Sequence, residues 1–194
     1  MDVQNQQKLL LHVCCAPCSS YVLEYLYSKY NITAFFYNPN ITIREEYEKR
    51  IGELKRFVGE APFAKNVAVV EGMYNPEMFI EISKNLENEP ERGTRCYKCY
   101  ELRLRETAVY ALEHKYDLFT TTLSISPHKN AEWLNEIGMR LSAELGIDYL
   151  YSDFKKKNGY SRSIQLSKEY GLYRQNYCGC IYSKNEADKR KNSL

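Results

Sequence analysis

Short apolar runs bounded by polar residues recur along the chain and predict β-strands. Five such runs are present: Leu9–Val13, Ile32–Tyr37, Val67–Val70, Leu118–Leu123 and Ile147–Tyr151. Between them lie charged segments whose apolar residues recur with a helical period, which predicts helices at Arg44–Val58, Tyr97–Lys115 and Asn130–Leu145. Strands that alternate with long helices predict an α/β domain, with a parallel sheet and helices on both of its faces.

Nothing in the pattern divides the chain, so a single domain is expected over residues 1–194, and its 44% apolar content is enough to build a core. The polar stretch Asn85–Arg95 predicts a loop. After Tyr151 the pattern weakens: Ser163–Tyr170 predicts one further helix, and the residues from Asn185 onward are expected to fray. Because ligands bind at the carboxyl ends of parallel strands, the loops after the first, fourth and fifth strands should converge.

Charge is distributed unevenly along the chain. The whole chain has a net charge of +2, but residues 151–194 hold ten basic and four acidic side chains, a net charge of +6. This basic C-terminal segment is expected to contact phosphate groups. A merely solvated segment is the alternative that charge alone leaves open.

The hydropathy pattern also bears on location. No stretch approaches the roughly 20 apolar residues of a transmembrane helix, so no membrane association is expected. The polar start Met1–Lys8 and the short apolar run Leu9–Val13 do not form a signal peptide. We therefore expect a cytoplasmic protein.

Seven cysteines fall into three short clusters, whereas random placement would scatter them along the chain. The clusters are LHVCCAPCSS with Cys14, Cys15 and Cys18, RCYKCY with Cys96 and Cys99, and YCGC with Cys178 and Cys180. A reducing compartment favours metal binding or redox chemistry over disulfides. The clustering is the strongest functional signal in the sequence.

Each cluster has its own chemistry. Cys14 and Cys15 end the first strand and Cys18 begins the next helix, where a helix N-terminus favours the thiolate. The spacing of RCYKCY lets two thiolates bind one metal ion or one cluster edge. In YCGC only Gly179 separates the cysteines, so a disulfide between them would be strained and readily reduced. Spacing alone leaves open an iron–sulfur cluster, a structural zinc and a metal-free redox thiol site.

Three strings carry a resemblance to a known family. LHVCCAPCSS after the first strand, RCYKCYELR in mid-chain and DFKKKNGYSRSIQLSKEYGLYRQNYCGCIYS near the end resemble the QueH family over nearly the whole chain. The resemblance implies a cobalamin-independent epoxyqueuosine reductase, which removes the epoxide oxygen of epoxyqueuosine at the tRNA wobble position. It also implies a [4Fe–4S] cluster with an additional mononuclear iron, an external electron donor, and a core like that of the adenine nucleotide α-hydrolases.

The resemblance carries over to the matching cysteines. It implies that Cys14, Cys15, Cys96 and Cys99 bind the cluster. Cys178 and Cys180 are then a redox-active pair, ligands of the second iron, or both in different redox states. The resemblance leaves Cys18 unassigned, and we expect a place for it in the second iron site. ATP-using relatives of this fold carry an SGGxDS-type phosphate loop after the first strand. Here residues 14–20 lack its glycines, so no use of ATP is expected.

Epoxide reduction requires two electrons, two protons and a group that holds the leaving oxygen. Asp153 follows the fifth predicted strand and is the expected carboxylate ligand of the second iron, since iron of this kind favours a harder ligand. The alternatives are that Asp153 caps a turn, or that Asp117 is the ligand, although Asp117 precedes its strand. Tyr177 is the expected catalytic proton donor, with Tyr100 and His128 as alternatives, and His12 is expected in the core.

For tRNA, the expected phosphate contacts are Lys155, Lys156, Lys157, Arg162, Arg174 and the tail residues Lys189, Arg190 and Lys191. The flipped base is expected to stack on Tyr160, Tyr173 or Tyr177 and to hydrogen-bond with Thr122, Ser124 or Ser126. Three alternatives are an iron–sulfur tRNA sulfur transferase, a zinc-stabilised RNA-binding module and a metal-free thiol oxidoreductase. The first needs a nucleotide loop, and the other two leave cysteines unexplained.

Overall fold

A computed structural model describes residues Gln6–Asn192, so the first five and last two residues of the expected 1–194 domain, and the start of the polar Met1–Lys8 stretch, lie outside it. Within that range five strands form one fully parallel sheet in the order β3-β2-β1-β4-β5. The strands are β1 Lys8–His12, β2 Asn31–Phe36, β3 Ala68–Glu71, β4 Leu118–Thr121 and β5 Asp148–Tyr149.

Seven α-helices connect and flank these strands in the described part of the chain. They are α1 Ala16–Leu26, α2 Arg44–Glu60, α3 Pro76–Ile82, α4 Thr94–Glu113, α5 Ala131–Leu145, α6 Gly159–Glu169 and α7 Ile181–Asn192. The predicted α/β class with a parallel sheet is confirmed. None of the helices described here combines the length and the apolarity that a membrane span requires.

The sheet is covered on both faces, as its strand sequences require. Leu9 and Leu11 of β1 belong to one core cluster, which includes Leu54 of α2. Leu10 belongs to the other cluster, with Leu104 of α4. Because successive side chains of a strand point to opposite faces, the continuous apolar run LLL reflects burial on both sides.

The order of the strands reverses between β1 and β4, and this reversal positions the site. The cysteine loop follows β1, and a 3₁₀ turn at Thr122–Ile125 follows β4. The prediction that β4 runs to Leu123 is wrong, because the Thr121 hydroxyl accepts a hydrogen bond from the Leu123 N–H at 3.1 Å and begins the turn. The crevice outside a reversal of this kind is where parallel α/β folds bind ligands.

The polar C-terminal end of the chain departs from its expected behaviour. The residues from Asn185 onward, which were expected to fray, continue helix α7 through Asn192. The sequence of α7 gives little helical signal because only two of its side chains, Ser183 and Ala187, are buried. The short helix α3 is also not predicted by the sequence pattern.

Candidate metal centre

The first three cysteines form one compact group, named here the N-terminal set: Cys14, Cys15 and Cys18. Their sulfur atoms all lie within 4.8 Å of one another, close enough to bind one metal ion. Cys15 is the N-cap residue of α1, and Pro17 occupies the first turn of that helix. The prediction that Cys18 lies at a helix start is confirmed, and the end of β1 and the start of α1 position the set.

The remaining four cysteines line a second, smaller space and are named here the four-cysteine set: Cys96, Cys99, Cys178 and Cys180. Cys96 and Cys99 lie one turn apart on α4. Cys99 and Cys180 are buried together with Phe79 of α3. The space between the four residues is only about 20 Å³.

A cavity larger than the four-cysteine space, named here the larger cavity, joins the two sets. It has a volume of about 270 Å³, and Cys14, Cys18 and Cys178 are among the residues that line it. Cys178 lines both spaces, so the two sets belong to one continuous site. All seven thiols are unpaired. The loops after β1 and β4 meet here, as expected, while the segment after β5 lines a different cavity.

Four buried cations line these two spaces: Arg50, Arg95, Arg103 and Lys129. Arg103 is only 1% exposed and has no carboxylate within salt-bridge distance among residues 6–192. Its guanidinium donates to His12 Nε2 at 3.3 Å and to the Asn38 side-chain oxygen. A buried charge without a counter-ion is costly, so the site is electrostatically suited to anionic thiolates.

Lys129 contacts a thiol directly. Its Nζ lies 3.0 Å from Cys178 Sγ and 3.7 Å from a carboxylate oxygen of Glu91. Burial alone would lower the pKa of Lys129, but the nearby Cys178 and Tyr100 raise it well above its usual value. The ammonium group therefore stays charged beside the sulfur.

Arg50 fixes the loop that carries Cys178. The guanidinium donates to the carbonyl of Cys178 at 2.9 Å and to the carbonyl of Tyr177 at 3.3 Å. Its Nε donates to Glu46 at 2.7 Å. The next residue, Gly179, has a φ of 125°, a conformation that other residues rarely adopt.

Buried oxygen atoms without partners point into the same spaces. Asn40 Oδ1 and Tyr100 Oη are buried without a hydrogen-bond partner, and both residues line the four-cysteine space. Gln175 Oε1 is likewise unpartnered and lines the larger cavity. Since buried polar atoms are nearly always satisfied, these atoms are expected to face a bound group. The donor set, the cations and these oxygens fit a thiolate-bound metal centre.

The acidity of two thiols of the four-cysteine set couples metal binding to pH. Burial raises the pKa of Cys99 to about 12, and burial also raises the pKa of Cys96. These thiols would stay protonated at neutral pH on their own. A metal that binds them must displace the protons, so its binding is coupled to pH.

The expected proton donors lie at different depths. Tyr177 and His128 line the larger cavity. Tyr100 is 1% exposed and lines the four-cysteine space instead. His12 is fully buried, as expected, and burial followed by the charge of Arg103 lowers its pKa to about 3.

The structure places both candidate aspartates outside the two cysteine spaces. The carboxylate of Asp153 accepts from Lys155 at 2.7 Å, and Asp153 lines a separate cavity. Asp117 accepts from the backbone N–H of Lys8, at the amino end of the sheet. An iron-ligand role for Asp153 therefore stays a prediction, and the contacts around it favour a role in its own loop.

The residues predicted to contact RNA lie in several different environments. Arg174 and Arg190 line the larger cavity together with Tyr160. The guanidinium of Arg162 is paired with both carboxylate oxygens of Glu24, and Tyr173 donates to Glu46. Of the remaining lysines, Lys156 and Lys157 line the separate cavity, and Lys155 pairs with Asp153. Of the three hydroxyl residues, Ser126 lines the larger cavity. The Ser124 hydroxyl accepts a hydrogen bond from the Phe154 N–H, and the Thr122 hydroxyl donates toward the Cys14 sulfur.

Several residues of the site were not predicted. Arg103 lies one helical turn after Cys99 on the buried face of α4, and Arg50 lies on the apolar face of α2. A charged residue at an apolar position of a helical repeat is the signal that could have found both. Lys129 and Gln175 lie in connecting segments and have no comparable signal.

The fold and the site together define the chain as an α/β protein with a cysteine-rich candidate metal centre. The family model described as Epoxyqueuosine reductase QueH matches residues 9–186, and the chain belongs to this family. A relative of that name from Streptococcus pyogenes serotype M1 is 45% identical over 177 residues, 90% of this chain and 69% of the relative. Another from Dehalococcoides mccartyi is 35% identical over 188 residues, 96% of this chain and 97% of the relative.

Proposed function

We propose that the chain reduces epoxyqueuosine to queuosine at the wobble position of tRNA, with iron held by its cysteines. As a member of the QueH family, it is an epoxyqueuosine reductase and so an oxidoreductase. The observation that carries the proposal is the gathering of seven unpaired thiols at the switch point of the sheet, six of which line two adjoining spaces while Cys15 lies beside Cys14 and Cys18. We place the reaction in the cytoplasm, where reducing conditions keep thiols free.

We assign the chain a [4Fe–4S] cluster and an additional mononuclear iron. In the first division of ligands, Cys14, Cys15, Cys96 and Cys99 hold the cluster, and Cys18, Cys178 and Cys180 serve the iron. In the second division, each spatial set holds one group, and this is favoured by the 4.8 Å separation within the N-terminal set. When bound, these groups supply single electrons and Lewis acidity.

The overall reaction converts the epoxide into an alkene. Two electrons from an external donor and two protons enter, both carbon–oxygen bonds break, and the oxygen leaves as water. The larger cavity has room for the reacting ring, and Tyr177 lines it, so we assign Tyr177 as a proton donor to the departing oxygen. Residues 14–20 lack the glycines of the phosphate loop that ATP chemistry requires, so we assign no ATP to the reaction.

The buried cations stabilise negative charge on the thiolates and on the substrate oxygen. Arg103 and Lys129 line the site and are shielded from water. Their attraction for a thiolate or a negatively charged oxygen is therefore stronger than it would be at the surface. The Lys129 contact with Cys178 also orients that sulfur between the two spaces. Arg50 holds the backbone of the same loop.

The first test is chemical analysis of the protein after anaerobic purification. About four sulfides and five irons per chain are expected, together with reduction of epoxyqueuosine in tRNA. Zinc without sulfide would overturn the electron-transfer proposal and favour an RNA-binding zinc protein. Full iron and sulfide without any reductase activity toward the modified tRNA would overturn the substrate assignment.

Single-cysteine variants distinguish the two divisions of ligands. Under the first division, Cys15→Ala loses the cluster, and Cys180→Ala loses only about one iron. Under the second division the outcomes are reversed: Cys180→Ala loses the sulfide, and Cys15→Ala loses about one iron. Iron and sulfide are counted on protein purified without oxygen, and retention of both in either variant would contradict the ligand role of that residue.

A further inference from the structure

A second concave surface lies beside the candidate metal centre and is not used in the reaction above. It is named here the aromatic groove, has a volume of about 460 Å³, and is formed by α1 and the segment after β5. Its aromatic side chains are Tyr21, Tyr25, Tyr30, Tyr151 and Phe154. A cluster of five aromatic rings on one concave surface is typical of an interaction site and not of an ordinary solvated face.

Two of these rings, Tyr25 and Tyr151, are exposed, and Tyr25 is supported by its neighbours. Tyr21 and Tyr25 are stacked, with ring centroids 5.8 Å apart and an angle of 27° between the planes. Phe154 contacts Tyr25 edge-on at 6.2 Å. Tyr25 is 40% exposed and Tyr151 is 65% exposed. Exposed, mutually supported aromatic faces are typical of surfaces that stack on unpaired nucleobases.

The charge of the groove is positive. Three lysines line it: Lys29, Lys156 and Lys157. Lys29 Nζ lies over the Tyr25 ring, 3.9 Å from its centre, so a cation already lies on one face of this ring. Asp153 is the one carboxylate among the lining residues and is paired with Lys155. Aromatic rings and lysines on one surface match a nucleic-acid strand, whose bases stack and whose phosphates bind lysine.

The groove is continuous with the metal centre through α1. Cys18, Tyr21 and Tyr25 are spaced by three and four residues and so lie along one side of the helix. From Cys18 to Tyr25 the helix rises about 10 Å. Tyr21 also packs on Gly159, where a Cβ atom would lie 2.5 Å from the ring, and the neighbouring Tyr160 lines the larger cavity. Helices α1 and α6 thus form a shared wall between groove and cavity.

We propose that the aromatic groove binds the unpaired nucleotides of the tRNA anticodon loop next to the wobble nucleotide. This inference rests on the proposed function, since it assumes that the wobble base occupies the larger cavity. Tyr25 and Tyr151 stack on the neighbouring bases, Lys29 moves from the face of Tyr25 to a phosphate, and Lys157 contacts another phosphate. The groove therefore contributes affinity for the loop, while the cysteine site carries out the reduction.

The test compares groove variants with a matched control tyrosine at the C-terminal end of α1. Tyr25→Ala and Tyr151→Ala should each weaken binding of an anticodon stem-loop RNA by about tenfold. Each variant should raise KM for the modified tRNA and leave kcat, iron and sulfide unchanged. Tyr27→Ala is the control, because Tyr27 is 49% exposed but packs against Phe63 outside the groove. Tyr25→Phe should bind like the unaltered protein, because stacking needs the ring and not the hydroxyl.

Binding is measured on unmodified RNA, so it does not depend on reductase activity. Groove variants that bind RNA as tightly as the Tyr27→Ala control would overturn the groove assignment even if the enzyme is active. An equal loss in Tyr25→Phe and Tyr25→Ala would also overturn it. A protein that binds RNA through the groove but does not reduce epoxyqueuosine would contradict the proposed function instead.

Discussion

The two ends of the chain deliver cysteines to one site but hold them by different means. The N-terminal set follows β1 directly, and the parallel sheet extends its hydrogen bonding to Val13, whose N–H donates to Phe35. Helix α1 begins at Ala16, so Cys18 lies in its first turn. Cys178 and Cys180 lie instead in a segment between α6 and α7 without a helix or strand.

Side chains replace regular structure at the C-terminal end of the site. Arg50 binds two carbonyls of the loop, and Lys129 contacts the sulfur of Cys178. The Ser183 hydroxyl accepts from the Cys178 N–H at 3.2 Å. A cysteine set held by backbone hydrogen bonds should tolerate changes in neighbouring side chains. A set held by a few buried groups should depend on each of them.

The largest effect is expected at Arg50. Arg50→Met removes the donors to the loop and leaves Glu46, whose side chain is only 11% exposed, without its positively charged partner. Breaking a buried ion pair on one side should lower the free energy of unfolding by about 3 kcal/mol. The measurement is urea unfolding of the reduced, metal-free protein. Anaerobic loading of the same variant should show a loss of iron.

Arg44 supplies a matched control for this change. It pairs with Glu48 on the same helix and with the same spacing, but both side chains are at least 60% exposed. Arg44→Met should lower the free energy of unfolding by about 0.5 kcal/mol at most. Equal losses in the two variants would show that burial of Arg50 does not hold the loop.

A smaller effect is expected at Gly179. Gly179→Ala places a Cβ atom 2.9 Å from Ile41 Cγ1 in a backbone with a φ of 125°. Strain and crowding together should cost about 2 kcal/mol in thermal or urea unfolding. Gly171 is the control, because its φ is also positive, at 56°, but nothing lies within 4 Å of the added Cβ. If Gly171→Ala is as destabilising as Gly179→Ala, crowding at the cysteine loop contributes nothing.

The difference between the two ends also explains what could be predicted from the sequence. Strand β1, which precedes Cys14 and Cys15, was predictable because its three consecutive leucines must be buried on both faces of the sheet. The convergence of the loops after β1 and β4 follows from parallel topology alone. Helix α7 could not be predicted because its buried positions are a serine and an alanine.

Individual side-chain contacts between distant parts of the chain could not be predicted. Arg50 and Cys178 are 128 positions apart, and no local pattern joins them. Asp153 follows β5 as expected, yet its lysine neighbours pair with it in a separate cavity. Position after a strand indicates the edge of the sheet where a residue lies. It does not indicate which of two neighbouring cavities the side chain faces.

The smallest effect is expected at the N-terminal set. Ser19→Ala removes a buried hydroxyl that donates to the Cys15 carbonyl at 2.8 Å. The same carbonyl still accepts from the Ser19 N–H at 3.1 Å, so the loss should be about 0.5–1 kcal/mol, with iron content unchanged. Ser20→Ala, which removes a hydroxyl bonded to Pro17, gives the reference for the same deletion one residue on. Loss of iron in Ser19→Ala alone would mean that a side chain, and not the backbone, holds this end of the site.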